Sequence, residues 1–346
     1  MSSVDVIVPC YRYGHFLREC VTSVLTQSVQ SLRVLIIDDA SPDNTAEIAN
    51  DLAREDSRVT FLRHKSNKGH INTYNEGLDW TSADYALILS ADDYLLPGAL
   101  DRAAQLMDAH PQVGFTFGNF IELSDDGIKK PIKSIGQTIE DAGIQVLEGR
   151  EFIELNGSYC IVGTCTAVVR TELQKRLGGY RRELPHAGDF EMWLRFAARA
   201  PVGFVNRYQG VYRRHTENMS AVYYMNGSLT DLEQRKAALD CFFERCSDGL
   251  PDAVQVHRQM IWRLAERAVW EAGLALKRGE MEASRRVSEF ASAICPPITR
   301  SLPWLKLIIK RHMGPGMWRA LEAADARIDG LRHHRNRSIS QDEAPR

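Results

Sequence analysis

Long apolar runs are missing from this 346-residue chain. No stretch approaches the ~20 residues that cross a bilayer. The start, MSSVDVIVPCYRYG, has neither the positive n-region nor the long apolar h-region of a signal peptide. The expectation is a protein neither secreted by that route nor integral to a membrane. Charge of one sign is missing too: 43 Lys and Arg against 45 Asp and Glu leave a net charge of −2. Nothing draws the whole chain toward nucleic acid, and no nucleic-acid partner is expected. The seven cysteines form no CxxC pair and no C…H cluster with zinc spacing. Cys160 and Cys165 fall at odd spacing in a strand-like run, which would face them opposite ways. Reduced, mostly buried thiols in a cytoplasmic protein are expected. Composition is otherwise that of a soluble globular chain, hydrophobic 44% and charged 25%, long enough for one large domain or two.

What is present is an alternation. Short β-rich runs at VDVIVP (Val4 to Pro9), LRVLIIDD (Leu32 to Asp39), VTFLRH (Val59 to His64), DYALILS (Asp84 to Ser90) and VGFTFGNF (Val113 to Phe120) are separated by helical patterns. Phe16, Leu17, Cys20, Val21, Val24 and Leu25 share one face of a 3.6-period helix. A second helix is expected to open at Ser41-Pro42-Asp43 with Ser as its N-cap. Another starts at Pro97, carrying Leu100, Ala103, Ala104 and Met107 inward. Strands that are apolar throughout and separated by helices predict an α/β fold, a mostly parallel wound sheet with helices on both faces. Ligands bind such sheets at the carboxyl ends of strands, where Asp38, Asp39, Asp92 and Asp93 fall.

From Asn119 to Ile144 the chain reads as polar loops with an edge element. CIVGTCTAVVR and VGFVNRYQGVYRR read as strands flanking a helix, DFEMWLRFAARA (Asp189 to Ala200). Beyond about Ala221 only helices are expected: Leu229 to Cys246, Ala253 to Arg278 and Met281 to Ile294. GLALKRGEMEASRRVSEFA looks like one helix-turn-helix unit, a packing appendage and not an array. LPWLKLIIKRHMGPGMWRAL mixes Trp304, Leu305, Leu307, Ile308 and Trp318 with Lys306, Lys310, Arg311 and Arg319. It is either a basic amphipathic helix on an anionic bilayer surface or a helix whose apolar face docks on the domain. The tail, RHHRNRSISQDEAPR, has almost nothing to bury and is expected to be disordered.

ADYALILSADDY places two carboxylates side by side where an apolar strand surfaces. Like charges repel, poorly screened at a low-dielectric sheet edge. Helix capping does not account for them, because the next helix signal is Pro97. A divalent cation does: Mg²⁺ and Mn²⁺ sites use one or two carboxylates plus substrate phosphates, and a nucleotide diphosphate would complete such a shell.

VDVIVPCYRYGHFLRECVTSVLTQS, LRVLIIDDASPDNT, NKGHINTYNEGL and LSADDYLLPGAL, in that order, resemble the inverting family 2 glycosyltransferases with the GT-A fold. The similarity covers roughly residues 4 to 123 and resumes more weakly over GDFEMWLRFA and YRRHTENMS. The resemblance implies roles position by position. Pro9 and Tyr11 match the first-strand motif, whose loop lies against the nucleotide base. Asp39 matches the aspartate that accepts a hydrogen bond from the uracil ring N–H. Its alternative is a turn-forming role, for which Asp38 is better suited. Asp92 matches the acid directed toward the ribose and metal shell, and Asp93 the direct metal ligand. Asp189 matches the catalytic base, with a helix N-cap as its alternative. His215 matches a His that approaches the metal or diphosphate in some relatives, against a purely structural role. Lys68 is the first candidate to offset diphosphate charge, before Arg63, Arg213 and Arg214.

The implied activity is inverting, metal-dependent transfer of a single sugar from a nucleotide-diphosphate sugar, a UDP-sugar above all. The implied cofactor is Mn²⁺ or Mg²⁺. The acceptor is a hydroxyl on a saccharide or lipid-linked precursor, in cell-surface polysaccharide or glycolipid synthesis. A peripheral contact with the inner face of the cytoplasmic membrane would run through the basic C-terminal segment. Residues 1–225 are expected to form the GT-A-like domain, with the nucleotide-sugar half about 1–120 and the acceptor half about 121–225. Residues 226–335 follow as a helical region and 336–346 as a tail. Three departures stand out: Gly188 where many relatives carry Glu, Thr73-Tyr74-Asn75 where ARN is frequent, and no QxxRW motif of processive synthases. Two alternatives remain open. A nucleotidyltransferase would want a Gly-rich phosphate loop after the first strand, where PCYRYGH has one glycine. The other is a non-catalytic nucleotide-sugar binder or scaffold.

Overall fold

The first strand, β1 (Ser3–Cys10), is buried at nearly every position because both of its faces are covered. In the computed structural model, which describes residues 2–135, 143–220, 223 and 228–313, alternate residues Val4, Val6, Val8 and Cys10 enter one core. They share it with Leu17, Cys20, Val21 and Val24 of α1 (Gly14–Leu25), Ala49 and Leu52 of a second helix (Thr45–Glu55, α2), and buried side chains beyond residue 85. Ile7, on the opposite face, meets α3 (His70–Trp80) so closely that a Cβ on Gly77 would lie 2.3 Å from Ile7 Cγ2. Period-two alternation with apolar residues on both sides is the signature of a strand sandwiched between helices.

β1 pairs in parallel with β2 (Ser31–Asp38) on one side and with a strand at Tyr85–Ile88 on the other. A third strand, β3 (Val59–Arg63), extends the ladder beyond β2, and Tyr85–Ile88 is β4. The register sets Cys10 opposite Asp38 and Ile7 opposite Ile88, so the carboxyl ends of β1, β2 and β4 open on one edge. Past β4 come β5 (Tyr94–Leu95), α4 (Ala99–Ala109), β6 (Phe115–Ser124), β7 (Lys129–Ile132), β8 (Ile144–Leu147), α5 (Gly149–Asn156), β9 (Val168–Arg170), α6 (Thr171–Leu177), α7 (Gly188–Ala197) and β10 (Val202–Arg214). The sheet order is β3-β2-β1-β4-β9-β6-β10-β5, with β7 on β6 and β8 on β10. β9 runs antiparallel to both β4 and β6 and so joins the halves; β6 and β10 are parallel. The expected α/β sheet is present, with an antiparallel insert.

Several local expectations need correction. Across CIVGTCTAVVR only Val168–Arg170 pairs as strand, because Thr164–Thr166 is a 3-10 turn. The spacing of Cys160 and Cys165 therefore says nothing about faces. α2 begins at Thr45, not near Ser41. Ser41 Oγ instead accepts the Arg12 N–H (3.0 Å), while Asp43 accepts the N–H groups of Thr45 (3.2 Å) and Gly14 (3.1 Å). β6 continues to Ser124 and turns back into β7, the edge element expected between Asn119 and Ile144, so less of that stretch is loop than expected. The short helices α5 and α6 have no counterpart in the sequence expectation.

A second core lies under α7. Phe115 stacks on Trp193 at 5.0 Å and 25°, Phe152 meets Phe115 edge-on at 5.4 Å, and Phe117 packs on Phe204 at 5.2 Å. Such pairs contribute roughly 0.5–1.5 kcal/mol each beyond area burial, and they fix α7 on the sheet.

The described residues divide into two compact units, one within 1–223 and 233–260, the other within 224–232 and 261–346. The helices α8 (Leu229–Arg245) and α9 (Ala253–Lys277) match the all-helical expectation. In the second unit, Gly279 adopts φ +82° after α9; its N–H reaches Leu276 O (3.0 Å) and the Glu280 N–H reaches Ala275 O (2.9 Å). This left-handed closure sends the chain back as α10 (Met281–Ile294), the helix-turn-helix expected from the sequence. A last helix, 302–313, buries Leu307. Its Arg311 guanidinium donates to Ser284 O (3.1 Å) and Ser288 Oγ (3.0 Å). Its Leu302, Leu305 and Ile309 stay exposed (72%, 47% and 57%). Trp318, Arg319 and the tail lie outside the described residues. Among the described residues no helix is long and apolar enough to cross a membrane.

Candidate functional site

Asp92 and Asp93 stand between the end of β4 and the start of β5, only 4% and 3% exposed. The Asp93 N–H donates to Ser90 O (2.9 Å), and Asp93 Oδ1 accepts the Arg213 N–H (2.9 Å) from the end of β10. The Arg213 guanidinium lies over the rings of Phe16 (4.8 Å) and Tyr94 (5.0 Å) and pairs with Glu19. Arg213 therefore ties α1, β5 and β10 around the acids, a structural duty. Arg214 pairs with Glu122 at 3.3 Å.

Asp92 Oδ2 accepts from Asn218 Nδ2 (3.2 Å) and lies 3.1 Å from His215 Nε2. Asp92 Oδ1 is buried with no hydrogen-bond partner among the described residues. A bare buried carboxylate oxygen is costly. Burial first, and then the Asp92 charge, push the Asp93 carboxyl well above the usual carboxylate range. A divalent cation relieves both penalties, so this donor set fits one. Among the described residues no group of three His, Cys, Asp or Glu side chains is arranged to enclose an ion. The arrangement suits a cation that shares its shell with substrate phosphates and water. The His215 ring packs edge-on against Tyr13 (5.3 Å) and near Phe16 (5.4 Å), and the backbone N–H of His215 donates to Asn218 Oδ1 (2.6 Å). It stands beside Asp92 as a hydrogen-bond neighbour.

The neighbouring acids separate in role. Asp38 Oδ1 accepts the Ser41 N–H (2.8 Å) and Oδ2 lies 3.2 Å from Arg63 Nε. Asp38 shapes the turn, and Arg63 is committed to it. Asp39 Oδ1 accepts the Lys68 N–H (2.7 Å) and faces His64 Nδ1 (2.7 Å); Oδ2 accepts the Gly69 N–H (3.0 Å). Gly69 has φ +81°, which lets successive N–H groups converge on one carboxylate. The Lys68 ammonium, half exposed, pairs with Glu76 (2.8 Å). Pro9 is buried in β1 opposite Ile37, and Tyr11 is 42% exposed at the mouth of the next loop. The loops leaving β1 and β2 each hold a non-glycine residue in the left-handed region, Arg12 (φ +66°) and Ala40 (φ +61°). Strained backbone of this kind concentrates at ligand sites.

Asp189 is the second residue of α7, past the N-cap Ala187, so it does not cap the helix. Its Oδ1 accepts the Phe190 N–H (2.7 Å), and Thr164 Oγ1 donates to Oδ2 (3.5 Å). Burial raises its carboxyl above the usual range against the pull of that N–H and of Arg235 and His186. The segment leading to it is clamped twice. Buried Glu191 pairs with Arg181 (3.0 Å) and Arg195 (3.0 Å), and Arg195 donates to Gly178 O (3.0 Å) and Gly179 O (2.9 Å). Asn75 holds Tyr180 on both sides, donating to its carbonyl (2.9 Å) and accepting its N–H (2.7 Å). The glycine at 188 has a steric reason: a Cβ there would lie 3.2 Å from Tyr180 Cδ1. Tyr180 in turn packs on Tyr74 at 5.3 Å. Burial, with the charges of Asp92 and Asp189, raises the Tyr74 phenol. The TYN departure thus puts an aromatic hydroxyl within the field of both acid groups.

Tyr13, Thr164 and Asn218 were not singled out by the sequence reading, nor was Glu76. Tyr13, Thr164 and Asn218 pair across many positions, Asn218 with an acid 126 residues away. His64 was reachable: with Asp38 opposite Arg63 in parallel register, the next residues on both strands must be neighbours. A cavity of about 220 Å³ lies elsewhere, around Asp5 and Arg33 at the amino end of β1. Arg33 pairs with Asp5 at 2.6 Å, neutralising the one acid that lines it.

The family model described as Glycosyl transferase family 2 matches residues 5–175. A Campylobacter jejuni protein named GalNAc(5)-diNAcBac-PP-undecaprenol beta-1,3-glucosyltransferase is 29% identical over 137 residues, 39% of this chain and 44% of its own. Among solved structures, S. aureus TarS in complex with UDP-GlcNAc superposes with a TM-score of 0.53 at 17% identity, covering 83% of this chain and 90% of its own. The mannosyltransferase PcManGT of Pyrobaculum calidifontis, in complex with GDP-Man and Mn²⁺, gives 0.53 at 15% identity, covering 90% and 84%. These likenesses establish the GT-A-type fold.

Proposed function

We propose that this chain, which belongs to glycosyl transferase family 2 through residues 5–175, transfers one sugar per encounter, with inversion, from a UDP-sugar to a hydroxyl acceptor. The observation that carries the reading is the buried Asp92 Oδ1, without a hydrogen-bond partner among the described residues, beside Asp93. That pair stands on the sheet edge where β1, β2 and β4 end. Asp39, its carboxylate fixed by backbone donors, keeps capacity on Oδ2 to accept a ring N–H of the base. Pro9 and Tyr11 flank Cys10, whose carbonyl accepts the Asp39 N–H (2.9 Å). Asp92 and Asp93, with His215 adjoining, would hold Mn²⁺ or Mg²⁺, which when bound supplies Lewis-acid stabilisation of the diphosphate.

Asp189 acts as the base. Its carboxylate takes the acceptor's hydroxyl proton while the acceptor oxygen bonds to the anomeric carbon. The bond to the diphosphate oxygen breaks on the opposite face, and its electron pair leaves with the diphosphate. Burial, by raising the basicity of Asp189, suits it to this transfer. No protein acid is needed at the leaving group, unlike glycoside hydrolysis. We assign the nucleotide-sugar half to about 1–120 and the acceptor half to about 121–225. A lipid-linked or saccharide acceptor is supported by the name of the Campylobacter relative. A peripheral membrane contact is supported by the exposed Leu302, Leu305 and Ile309, with Lys306 also exposed on that helix.

A thermal-shift screen of nucleotide sugars with and without Mn²⁺ tests the reading. A donor at a hundredfold excess over its dissociation constant adds about 2.7 kcal/mol of apparent stability. UDP-sugars should shift the midpoint only with the metal. A chain that no nucleotide sugar shifts would contradict the proposal.

A further inference from the structure

We infer that Tyr74 belongs to the donor subsite, its hydroxyl hydrogen-bonding the transferring sugar between the paired acids Asp92 and Asp93 and the carboxylate of Asp189. The inference rests on the reading of those acids as cation site and base, and adds to it the side chain that meets the sugar itself.

Tyr74 stands in the middle of α3, on the face that presses on the segment leading to Asp189. His70, Ile71, Tyr74 and Asn75 recur at i, i+1, i+4 and i+5, one side of a helix. His70 Nε2 donates to Pro185 O (2.8 Å), and a Cβ on Gly188 would lie 3.9 Å from Ile71 Cδ1. Asn75 holds both backbone groups of Tyr180. The Tyr74 ring is caught between two others, His70 at 5.6 Å and 69° and Tyr180 at 5.3 Å and 67°. Edge-on contacts on two sides fix the ring's angle. Its hydroxyl is therefore delivered to one place before any ligand arrives.

That place lies between the two acid groups. After burial, the strongest influences on the phenol are the charges of Asp92 and Asp189, with Tyr13 and Asp93 behind them. In the proposed transfer the diphosphate sits on the cation at Asp92 and Asp93, and the acceptor hydroxyl sits on Asp189. The sugar bridges the two, because its anomeric carbon has the leaving oxygen on one face and the acceptor oxygen on the other. A side chain in the field of both acid groups borders that ring.

The hydroxyl is also free to bind. It makes no hydrogen bond among the described residues. Neighbouring hydroxyls are engaged: that of Tyr13 donates to Glu217 O (3.0 Å), and Thr164 Oγ1 to Asp189 Oδ2 (3.5 Å). A partly buried hydroxyl without a partner carries a desolvation penalty that a ligand can remove. Burial raises the phenol, so the group is a neutral hydroxyl and not a phenolate. It both donates and accepts, which matches a sugar hydroxyl better than the acceptor-only oxygens of a diphosphate.

The test is calorimetric titration, with Mn²⁺ present, of UDP, UDP-glucose and UDP-N-acetylglucosamine into wild type and Tyr74→Phe. Phenylalanine keeps both ring contacts and deletes only the oxygen. The variant should bind UDP as wild type does. It should bind the UDP-sugar that wild type holds more tightly about three- to tenfold more weakly, the worth of one neutral hydrogen bond. Its ligand-free melting midpoint should equal or exceed the wild-type value, since the lost hydroxyl has no partner in the protein. Equal weakening for UDP would place the hydroxyl on the nucleotide and overturn the inference. So would UDP-sugar affinities untouched by the substitution, a lowered ligand-free midpoint, or a wild type that takes UDP and refuses both sugars. Each of these leaves the cation site standing. A wild type that binds none of the three ligands overturns the underlying reading as well.

Discussion

Partial burial is what distinguishes Asp189 from the many surface carboxylates of the chain, and its consequences are measurable one side chain at a time. Asp189→Asn keeps the size and removes the proposed base, so kcat should drop on the order of 10³-fold while UDP affinity persists. Because burial raises this carboxyl, and a base works only when deprotonated, kcat/KM should fall as pH drops through a value above the ordinary aspartate range. A pH–rate profile without that acid limb would contradict the assignment. Asp93 carries the opposite lesson for stability. Its pKa is raised in the folded state, so the folded chain binds the proton more tightly than the unfolded chain. Metal-free stability should therefore decline as pH rises from the ordinary carboxylate range through the raised value. Asp93→Asn should raise the metal-free melting midpoint at neutral pH and abolish the Mn²⁺-induced shift. A midpoint that falls instead would show that Asp93 is stabilised by contacts within the protein. Acids at strand ends are a local signal, which is why Asp38, Asp39, Asp92 and Asp93 stand out in the sequence, whereas Asp189, in the first turn of α7, is singled out only by the family resemblance. Thr164, Tyr13 and Asn218 do not stand out, because their partners are distant in the chain and come together only through the β9 turn and the end of β10.

Among elements, α3 shows how little clearance the sheet allows. Gly77 lets it approach β1, and Gly77→Ala would drive a methyl to 2.3 Å from Ile7 Cγ2. The expected cost is about 1–3 kcal/mol, seen as a lower denaturation midpoint together with weaker UDP binding, since α3 and the loop before it present Lys68 and Gly69 to Asp39. Unchanged stability would mean that β1 and α3 part more easily than their packing implies. The parallel strands, four residues or longer, and the longer helices stand out in sequence because each carries a full period of burial. β5 and β9, two and three residues long, do not. They are strands only because β10, β4 and β6 offer them free edges, a tertiary cause with no local pattern. The α2 start was misplaced for a related reason: Ser41 and Asp43 look like caps but answer to Arg12 and Gly14 across the loop.

On the scale of the molecule, the alternating N-terminal region and the helical C-terminal region were both visible as a change of hydrophobic period. What periodicity could not decide is which face of the last helix is covered. The structure buries Leu307, ties Arg311 to Ser288 by a hydrogen bond, and leaves Leu302, Leu305 and Ile309 outside. If that face meets a membrane, the full chain should float with phosphatidylglycerol vesicles and not with phosphatidylcholine. Leu302→Glu with Ile309→Glu should stop flotation and leave UDP binding intact. Flotation that survives both substitutions, or a wild type that never floats, would refute the contact. The central claim concerns the sheet edge and has a more direct test: calorimetric titration of UDP into wild type and Asp93→Ala, each with and without Mn²⁺. The account predicts that Mn²⁺ tightens UDP binding to wild type by at least tenfold, about 1.4 kcal/mol, and does nothing for the variant. Equal affinity in all four titrations would contradict it.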